Sequence, residues 1–160
     1  MKLSHIKKDN RPGMVDVGSK PETSRTAHAR AIVIFPQQIL SVIQSEGFRT
    51  SKGPIFDTAI VAGVMAVKKT SELIPFCHPL RVDDCNIDIA LADEEGALTI
   101  DCRVSATDRT GVEMEALTGA SVAALTVYDM CKSLSHDIKI CEIRLLEKSG
   151  GRSGTHVAAE

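Results

Sequence analysis

Four stretches of the chain have the hydrophobic pattern of β-strands. Along residues 85–91 and 98–104, apolar side chains occupy every second position, which is the period of a strand with one buried face. Acidic residues and a glycine at 93–96 join these two stretches, which predicts a β-hairpin. A further strand is predicted where an apolar run, residues 31–35, is followed by Pro36, which ends the strand. The predicted strands cover residues 27–35, 82–92, 98–104 and 138–146.

Three other stretches carry apolar residues at helical spacing. The second predicted helix begins at Asp57, because a carboxylate at this position can accept the free N–H groups of the first turn. The third and longest begins with a capping box, Thr110 to Glu113, in which each side chain bonds to the other residue's backbone N–H. These helices cover residues 37–44, 57–71 and 110–132, and the glycine-containing segment 45–54 is predicted to be an exposed, mobile loop.

The order of these elements is strand, helix, helix, strand, strand, helix, strand. With one helix treated as an insertion, this is the β-α-β-β-α-β order of a ferredoxin-like α+β sandwich with an antiparallel sheet. We therefore expect an additional helix after the first. A length of 160 residues suits one domain. We predict an extended arm over residues 1–24, a single domain over 25–154 and a flexible tail over 155–160.

Composition excludes several classes of function. The net charge is −2, with a single tyrosine and no tryptophan, so neither a basic surface nor a set of stacking aromatics predicts nucleic-acid binding. No apolar run is long enough to cross a membrane, and the polar N-terminus does not resemble a signal peptide. Five cysteines without CxxC spacing indicate reduced thiols. We expect a cytoplasmic protein with no membrane and no nucleic acid among its partners.

One candidate site is the segment between Pro75 and Pro79. Each proline restricts the residue before it to extended geometry, so the segment should be a stiff loop that presents Cys77 and His78. A single histidine is often structural, and here a structural and a functional role are about equally supported. Adjacent cysteine and histidine rarely bind one zinc ion, and no second pair exists, so a zinc site is not expected.

A second candidate is the pair Asp129 and Lys132, three residues apart on one face of the long helix. The pair fits a surface ion pair, in which the lysine is also favourable near the helix end. By itself the spacing favours this interpretation over the alternative, a carboxylate and an amine that shift each other's pKa for proton transfer. The apolar neighbours Tyr128 and Met130 predict partial burial, which would strengthen the second interpretation.

The same helix opens with Glu113 and Glu115. Glu113 is assigned to the cap, whereas Glu115 should be free to point elsewhere. Glu115 and Asp129 project within about 40° of each other but lie about 21 Å apart along the axis. A small substrate cannot touch both on one helix. If both serve one site, an antiparallel copy of the helix must supply one of them, which predicts a pocket between two subunits.

Cations in loops form a third candidate. Each one alone fits a solvated surface charge, but as a group they fit a phosphate site. The glycine-rich segment 148–154 lacks P-loop spacing, yet its successive backbone N–H groups could bind an anion. The cations are Lys20, Arg25, Lys52, Lys148 and Arg152.

Taken together, the motifs resemble the cyclic pyranopterin monophosphate synthase family of molybdenum-cofactor biosynthesis. Each motif is weak alone, but the ordered set is specific and spans about residues 4–154. Phe76 stands where this family often has leucine, and Gly18 where serine is frequent. The motifs are Met14–Val17 with Lys20 and Arg25, Lys52–Gly53, Pro75–Pro79, Thr110–Thr118, Tyr128–Lys132 and Lys148–Gly151.

The resemblance implies a lyase that converts a cyclised dihydroguanosine triphosphate into cyclic pyranopterin monophosphate and pyrophosphate. It implies a ferredoxin-like subunit in a homohexamer, a trimer of dimers, with each active site at a dimer interface. The nucleotide-derived substrate would come from an upstream radical SAM enzyme that cyclises GTP. No cofactor is required, although Mg²⁺ could accompany the triphosphate.

The resemblance also assigns roles to residues. It places Asp129 and Lys132 on the catalytic pair and Lys52 among the cations around the triphosphate. As a mechanistic hypothesis, we expect cationic neighbours to lower the pKa of Lys132, which would be the main proton shuttle, with Asp129 as its orienting base. Lys52 would also be catalytic, since its mobile loop would close over the substrate and help ring opening. His78 and Glu115 would hold the purine-derived part, and Arg25 and Lys148 the phosphates. The remaining substrate-binding assignments are Phe76, Cys77, Met114, Glu113 and Lys20.

Two other functions stay open on the residues alone. Ferredoxin-like domains also serve as oligomeric modules that sense small molecules without turnover. Such a module would keep its ligand response when Asp129 is mutated, whereas an enzyme would bind its substrate without converting it. A metal-dependent hydrolase would lose activity with a chelator, but the scattered cysteines and the single histidine of the pocket argue against it.

Overall fold

A computed structural model describes residues 11–92, 96–152 and 154–159 of the chain. Its strands and helices alternate largely as the sequence pattern predicts. The strands are β1 (Thr23–Ile34), β2 (Arg49–Thr50), β3 (Gly53–Pro54), β4 (Asp84–Leu91), β5 (Ala97–Asp108), β6 (Lys139–Ser149) and β7 (His156–Val157). The helices are α1 (Gln37–Ser45), α2 (Ile55–Lys68), α3 (Thr70–Leu73) and α4 (Glu113–Cys131).

The main sheet has the strand order β4-β5-β1-β6-β7, and all its neighbouring strands are antiparallel. Without the two-residue β7, this is the strand order of a ferredoxin-like sandwich, in which α2 and α4 are the two crossover helices. The predicted fold class and the additional helix are therefore confirmed. The pairing of β4 with β5 confirms the predicted hairpin, whose turn at 93–95 lies outside the described residues.

Small side chains allow α4 to pack closely on the sheet. On β1, Ala27, Ala29 and Ala31 are buried and alternate with more exposed residues that point to the opposite face. The facing side of α4 is also rich in alanine, with Ala116, Ala120, Ala123 and Ala124 all fully buried. The core therefore depends on a short distance between the helix and the sheet, and larger side chains would push them apart.

Helices α2 and α4 approach each other at two glycines. A Cβ atom added to Gly63 would lie 3.0 Å from the backbone oxygen of Gly119 and 2.5 Å from the Ile87 side chain. A Cβ atom on Gly119 would lie 2.6 Å from both Cys102 Sγ and a methyl group of Val67. Glycine is needed at both positions because the helices leave no room for a Cβ atom. This close packing fixes the position of α4.

A Gly63→Ala substitution should therefore destabilise the protein, although alanine is the better helix former. We expect the free energy of unfolding to fall by about 1–3 kcal/mol, because overpacking outweighs the gain in helix propensity. Urea denaturation measures this change. As a control, Lys68→Ala at an exposed position of the same helix should change it by no more than about 0.5 kcal/mol. An equal or higher stability of the Gly63 variant would contradict the packing described.

Two predicted helix starts are wrong. Helix α2 begins at the fully buried Ile55, directly after the extended Pro54, so Asp57 lies inside the first turn and no side chain makes a capping hydrogen bond. The Thr110–Glu113 capping box does not form either. Helix α4 begins at Glu113 after the fully buried Val112, so burial of Val112 rather than a side-chain cap sets the start.

Other boundaries also differ from the prediction. The segment 45–54 contains the β2–β3 hairpin. The Phe48 ring, just before this hairpin, packs on the Phe56 ring at a centroid distance of 4.5 Å. The second predicted helix is divided at Lys69 into α2 and α3. Strand β1 begins four residues earlier than predicted, at Thr23, because its register with β5 continues to Asp108. In the described ranges no helix has the length and apolar character of a membrane span.

Candidate active site

Three predicted catalytic residues meet at the C-terminal end of α4. The Lys132 ammonium lies 2.7 Å from Asp129 Oδ1, and the Lys52 ammonium lies 2.7 Å from Asp129 Oδ2. Lys52 Nζ also donates a hydrogen bond to the backbone oxygen of Asp129, at 2.8 Å. One carboxylate therefore holds two ammonium groups, which come from segments far apart in the sequence.

Local structure explains why Lys52 reaches this position. It occupies the turn between β2 and β3, where its backbone N–H donates to Thr50 Oγ1 at 3.2 Å. The next residue, Gly53, has φ of 119°, a conformation that residues with a Cβ atom rarely adopt. The loop predicted to be mobile is thus a hairpin turn whose lysine already contacts α4.

The electrostatics of this cluster differ from the prediction. Hydrogen bonds from Lys132 and then Lys52 lower the pKa of Asp129 to about 2, so it is a carboxylate at neutral pH. The predicted lowering of the Lys132 pKa is wrong: it is raised, because the hydrogen bond to Asp129 and its charge stabilise the ammonium. Partial burial is not found either, since the Asp129 side chain is 52% exposed and that of Lys132 49%.

A cavity of about 350 Å³ opens beside the two lysines. His136 lines it, although this residue belongs to none of the sequence motifs. It follows the end of α4 at Cys131, so helical spacing gives no signal that it returns to the lysines. The lining is Lys52, Lys132, Ser133, Leu134, Ser135 and His136.

A second cavity, of about 430 Å³, lies at the opposite end of α4. It brings together five of the predicted substrate-binding residues from three separate segments. Val15, Val17 and Leu80 supply apolar walls. The five predicted residues are Lys20, Phe76, Cys77, His78 and Glu113.

Glu115 is buried next to this second cavity rather than free as predicted, with 4% of its surface exposed. Burial, followed by the charges of Glu113 and Asp108, raises its pKa to about 7. Burial and the charge of Glu115 also raise the pKa of the Cys77 thiol. Met114, the neighbour of Glu115, is 36% exposed and faces outward. Glu115 can therefore gain or lose a proton near neutral pH, as a proton-transfer residue must.

Three of the predicted phosphate cations, Lys20, Arg25 and Lys148, lie towards this same end. Arg25 donates to the backbone oxygens of Asp108 and Arg109, at 3.3 and 3.5 Å, just before the cavity residue Thr110. The Arg25 side chain also packs against Gly150 and Gly151, whose φ values are 94° and 72°. A Cβ atom on either glycine would collide with this arrangement. Lys148 lies nearby on β6, paired with Ala27 of β1.

The candidate residues thus form two groups at opposite ends of one helix. Helix α4 has 19 residues, which corresponds to about 28 Å. The lysine–aspartate cluster lies at its C-terminal end, and the cavity with His78 lies at its N-terminal end. One small substrate cannot reach both groups within a single subunit.

The MoaC family matches residues 14–151, a range that includes every candidate residue except Arg152. The chain belongs to the MoaC family. Its curated relatives agree with the match. A cyclic pyranopterin monophosphate synthase from Xanthomonas oryzae pv. oryzae is 53% identical over 151 residues, covering 94% of this chain and 91% of the relative. One from Helicobacter hepaticus is 46% identical over 158 residues, covering 98% of both chains.

A longer MoaC relative is the molybdenum cofactor biosynthesis protein 1 of Dictyostelium discoideum. It is 47% identical over 170 residues, which cover 96% of this chain but 27% of the relative. The MoaC sequence is therefore also found as part of a much larger polypeptide. The resemblance stated from the motifs is confirmed by these matches.

Proposed function

We propose that this MoaC protein is a cyclic pyranopterin monophosphate synthase. It would convert (8S)-3',8-cyclo-7,8-dihydroguanosine 5'-triphosphate into cyclic pyranopterin monophosphate and pyrophosphate, as a phosphorus–oxygen lyase. The observation that carries the proposal is the cluster of Lys52, Asp129 and Lys132 in a chain that is 53% identical to a synthase relative. This cluster supplies acid–base groups, which a ligand-sensing module does not need.

The active site is proposed to lie between two subunits. An antiparallel partner would bring its own α4 N-terminal cavity next to the Lys52–Lys132 cavity and join the two groups of residues. The outer surfaces of the helices support such a partner, because Val61, Met65, Leu73 and Leu125 are all more than half exposed. Covering these side chains would remove apolar surface from water. Three such dimers would form the proposed homohexamer.

At the C-terminal end of α4, Lys132 would act in its protonated form. The raised pKa makes its ammonium a proton donor to the substrate and a positive charge for anions that form during the reaction. Asp129 accepts hydrogen bonds from both lysines and would fix their positions, since a carboxylate with a pKa of about 2 is a weak base. Lys52 would bind the substrate from the hairpin and assist ring opening.

At the N-terminal end of α4, the proposed role is to hold the purine-derived part of the substrate. Phe76 and Met114 offer apolar surface, and His78 and Glu115 offer hydrogen bonds. Glu115, with a pKa of about 7, could hold or accept a proton there. Cys77 and Glu113 would complete this part of the pocket.

The triphosphate would bind the cations near the same end. Arg25 and Lys148, with Lys20 from the arm, would neutralise the phosphates and stabilise pyrophosphate as it leaves. The reaction moves no net electrons, so no redox cofactor is proposed. In the described ranges no three His, Cys, Asp or Glu side chains gather as a metal site. Any Mg²⁺ would therefore be held mainly by the phosphates of the substrate.

We place the protein in the cytoplasm, downstream of a radical SAM enzyme that cyclises GTP and supplies the substrate. No cofactor of its own, no membrane and no nucleic acid take part.

Incubation of the purified protein with the cyclised nucleotide tests the proposal. We expect release of one pyrophosphate and formation of one cyclic pyranopterin monophosphate per substrate. An Asp129→Asn variant should still bind the substrate but convert it far more slowly. Binding without any pyrophosphate from the wild-type protein would instead support a ligand-sensing module and contradict the proposal.

A further inference from the structure

His136 lies in the turn that connects α4 to β6, on the wall of the Lys52–Lys132 cavity. Contacts of the neighbouring residues hold this turn on both sides of His136. The backbone N–H of Asp137 donates to Ser135 Oγ at 3.0 Å, and Ile138 is buried with 4% exposure. These contacts hold the backbone on either side of His136, whose exposed side chain lines the same cavity as Lys52 and Lys132.

Proton transfer at this end of α4 needs a group that exchanges protons near neutral pH. Neither Asp129 nor Lys132 exchanges protons readily near neutral pH. Asp129 has a pKa of about 2, and the pKa of Lys132 is raised by Asp129. An amine that has given its proton to a substrate must regain one before the next turnover. Histidine is the side chain that ordinarily gains and loses a proton between pH 5 and 8.

We propose that His136 relays protons between solvent and Lys132 during the reaction. Lys132 Nζ gives a proton to the substrate and becomes a neutral amine. The imidazolium of His136 then passes its proton to Nζ, directly or through one water molecule, and takes up another from solvent. Each relay step moves one proton from solvent through His136 to Lys132 and replaces the proton that Lys132 gave to the substrate. The substrate returns one proton to solvent at another step of the reaction, so the complete cycle takes up no net proton. His136 acts through Lys132. It is therefore a positioning residue, which returns a proton to Lys132 and does not contact the substrate.

The charged groups around His136 have both signs. Lys52 and Lys132 share its cavity, and the Asp129 carboxylate lies between these two lysines. Asp137 follows it in the turn. A neighbouring cavity, which shares Ser133 and Leu134 with the first, adds Glu46 and Arg49. The pH dependence of kcat must therefore be compared between wild type and variants that change only His136 and keep these charged residues.

The relay rests on the proposed synthase activity, and its test is a comparison of His136→Gln with wild type. We expect kcat at pH 7 to fall about 10- to 100-fold. This is less than most direct general acid–base contributions, which are about 100- to 10,000-fold, because His136 acts through Lys132. KM should stay within about 2-fold, because substrate contacts are kept. Free imidazole should restore part of kcat. His156→Gln, an exposed histidine on β7, is the matched control and should behave as wild type.

The outcomes separate the relay from the proposed function. If wild type forms product and His136→Gln has the same kcat between pH 6 and 9, the relay is wrong while the function stands. A rise in KM at unchanged kcat also overturns it, because His136 would then bind substrate. If wild type forms no product, the proposed function and the relay fail together. His136→Asn serves as a second variant, and circular dichroism and oligomer size confirm that each variant folds.

Discussion

Replacement of Lys132 by alanine is expected to lower kcat by about 100- to 10,000-fold, the range of general acid–base contributions. The ammonium is held at 2.7 Å from Asp129 and faces the cavity that it shares with Lys52. Because the side chain is half exposed, the variant should keep the fold, the oligomer size and nearly the same melting temperature. Steady-state kinetics with the cyclised nucleotide measure the loss.

A matched control comes from Lys139→Ala, an exposed lysine at the start of β6 that does not line the cavity. Its kcat should match that of wild type. A Lys132→Ala protein that assembles normally and forms product at the wild-type rate would remove Lys132 from the mechanism. A loss of assembly in this variant would instead assign the lysine to the interface.

Replacement of Glu115 by glutamine should change how stability depends on pH. The buried carboxyl has a pKa of about 7 in the folded chain, above its ordinary value of 4.5. The folded state thus holds the proton more tightly than the unfolded state. The stabilisation is fully present below pH 4.5 and is lost as pH rises through 7. At pH 8 the wild type therefore carries a buried charge, which glutamine lacks.

The expected size of this effect is large. Relative to wild type, the free energy of unfolding of Glu115→Gln should rise by about 2–3 kcal/mol between pH 4.5 and pH 8. Urea denaturation at the two pH values measures it, and Glu72→Gln on the exposed side of α3 is the matched control. Identical pH dependence in wild type and Glu115→Gln would show that the carboxyl is not held in an apolar environment.

Much of the fold was predictable because side-chain alternation and helical spacing are strong along this chain. The strands around Cys102 and the long helix after Val112 follow directly from these patterns. Helix starts were not predictable in the same way. Asp57 and Thr110 are favourable capping residues, but the buried Ile55 and Val112 determine where the helices begin. Tertiary packing overrides the local preference there.

The membership of the candidate site was also largely predictable, whereas its electrostatics were not. The spacing of Asp129 and Lys132 predicts their contact, and the two prolines around His78 predict an exposed loop. The sequence does not say which charge lies closest to an ionisable group. The Lys132 pKa is raised because Asp129 is its nearest partner, and the Glu115 pKa is raised by burial that helical spacing alone did not show.

The central claim is that each active site combines the C-terminal end of one α4 with the N-terminal end of another. It is tested most directly by co-expressing equal amounts of Lys132→Ala and His78→Ala subunits, each of which should lose most of its activity when expressed alone. With random pairing in two-fold dimers, about a quarter of all sites should combine two intact ends and regain activity. Product formation at about a quarter of the wild-type rate is the predicted result. Activity no higher than the average of the two separate variants, in verified mixed oligomers, would contradict the shared site.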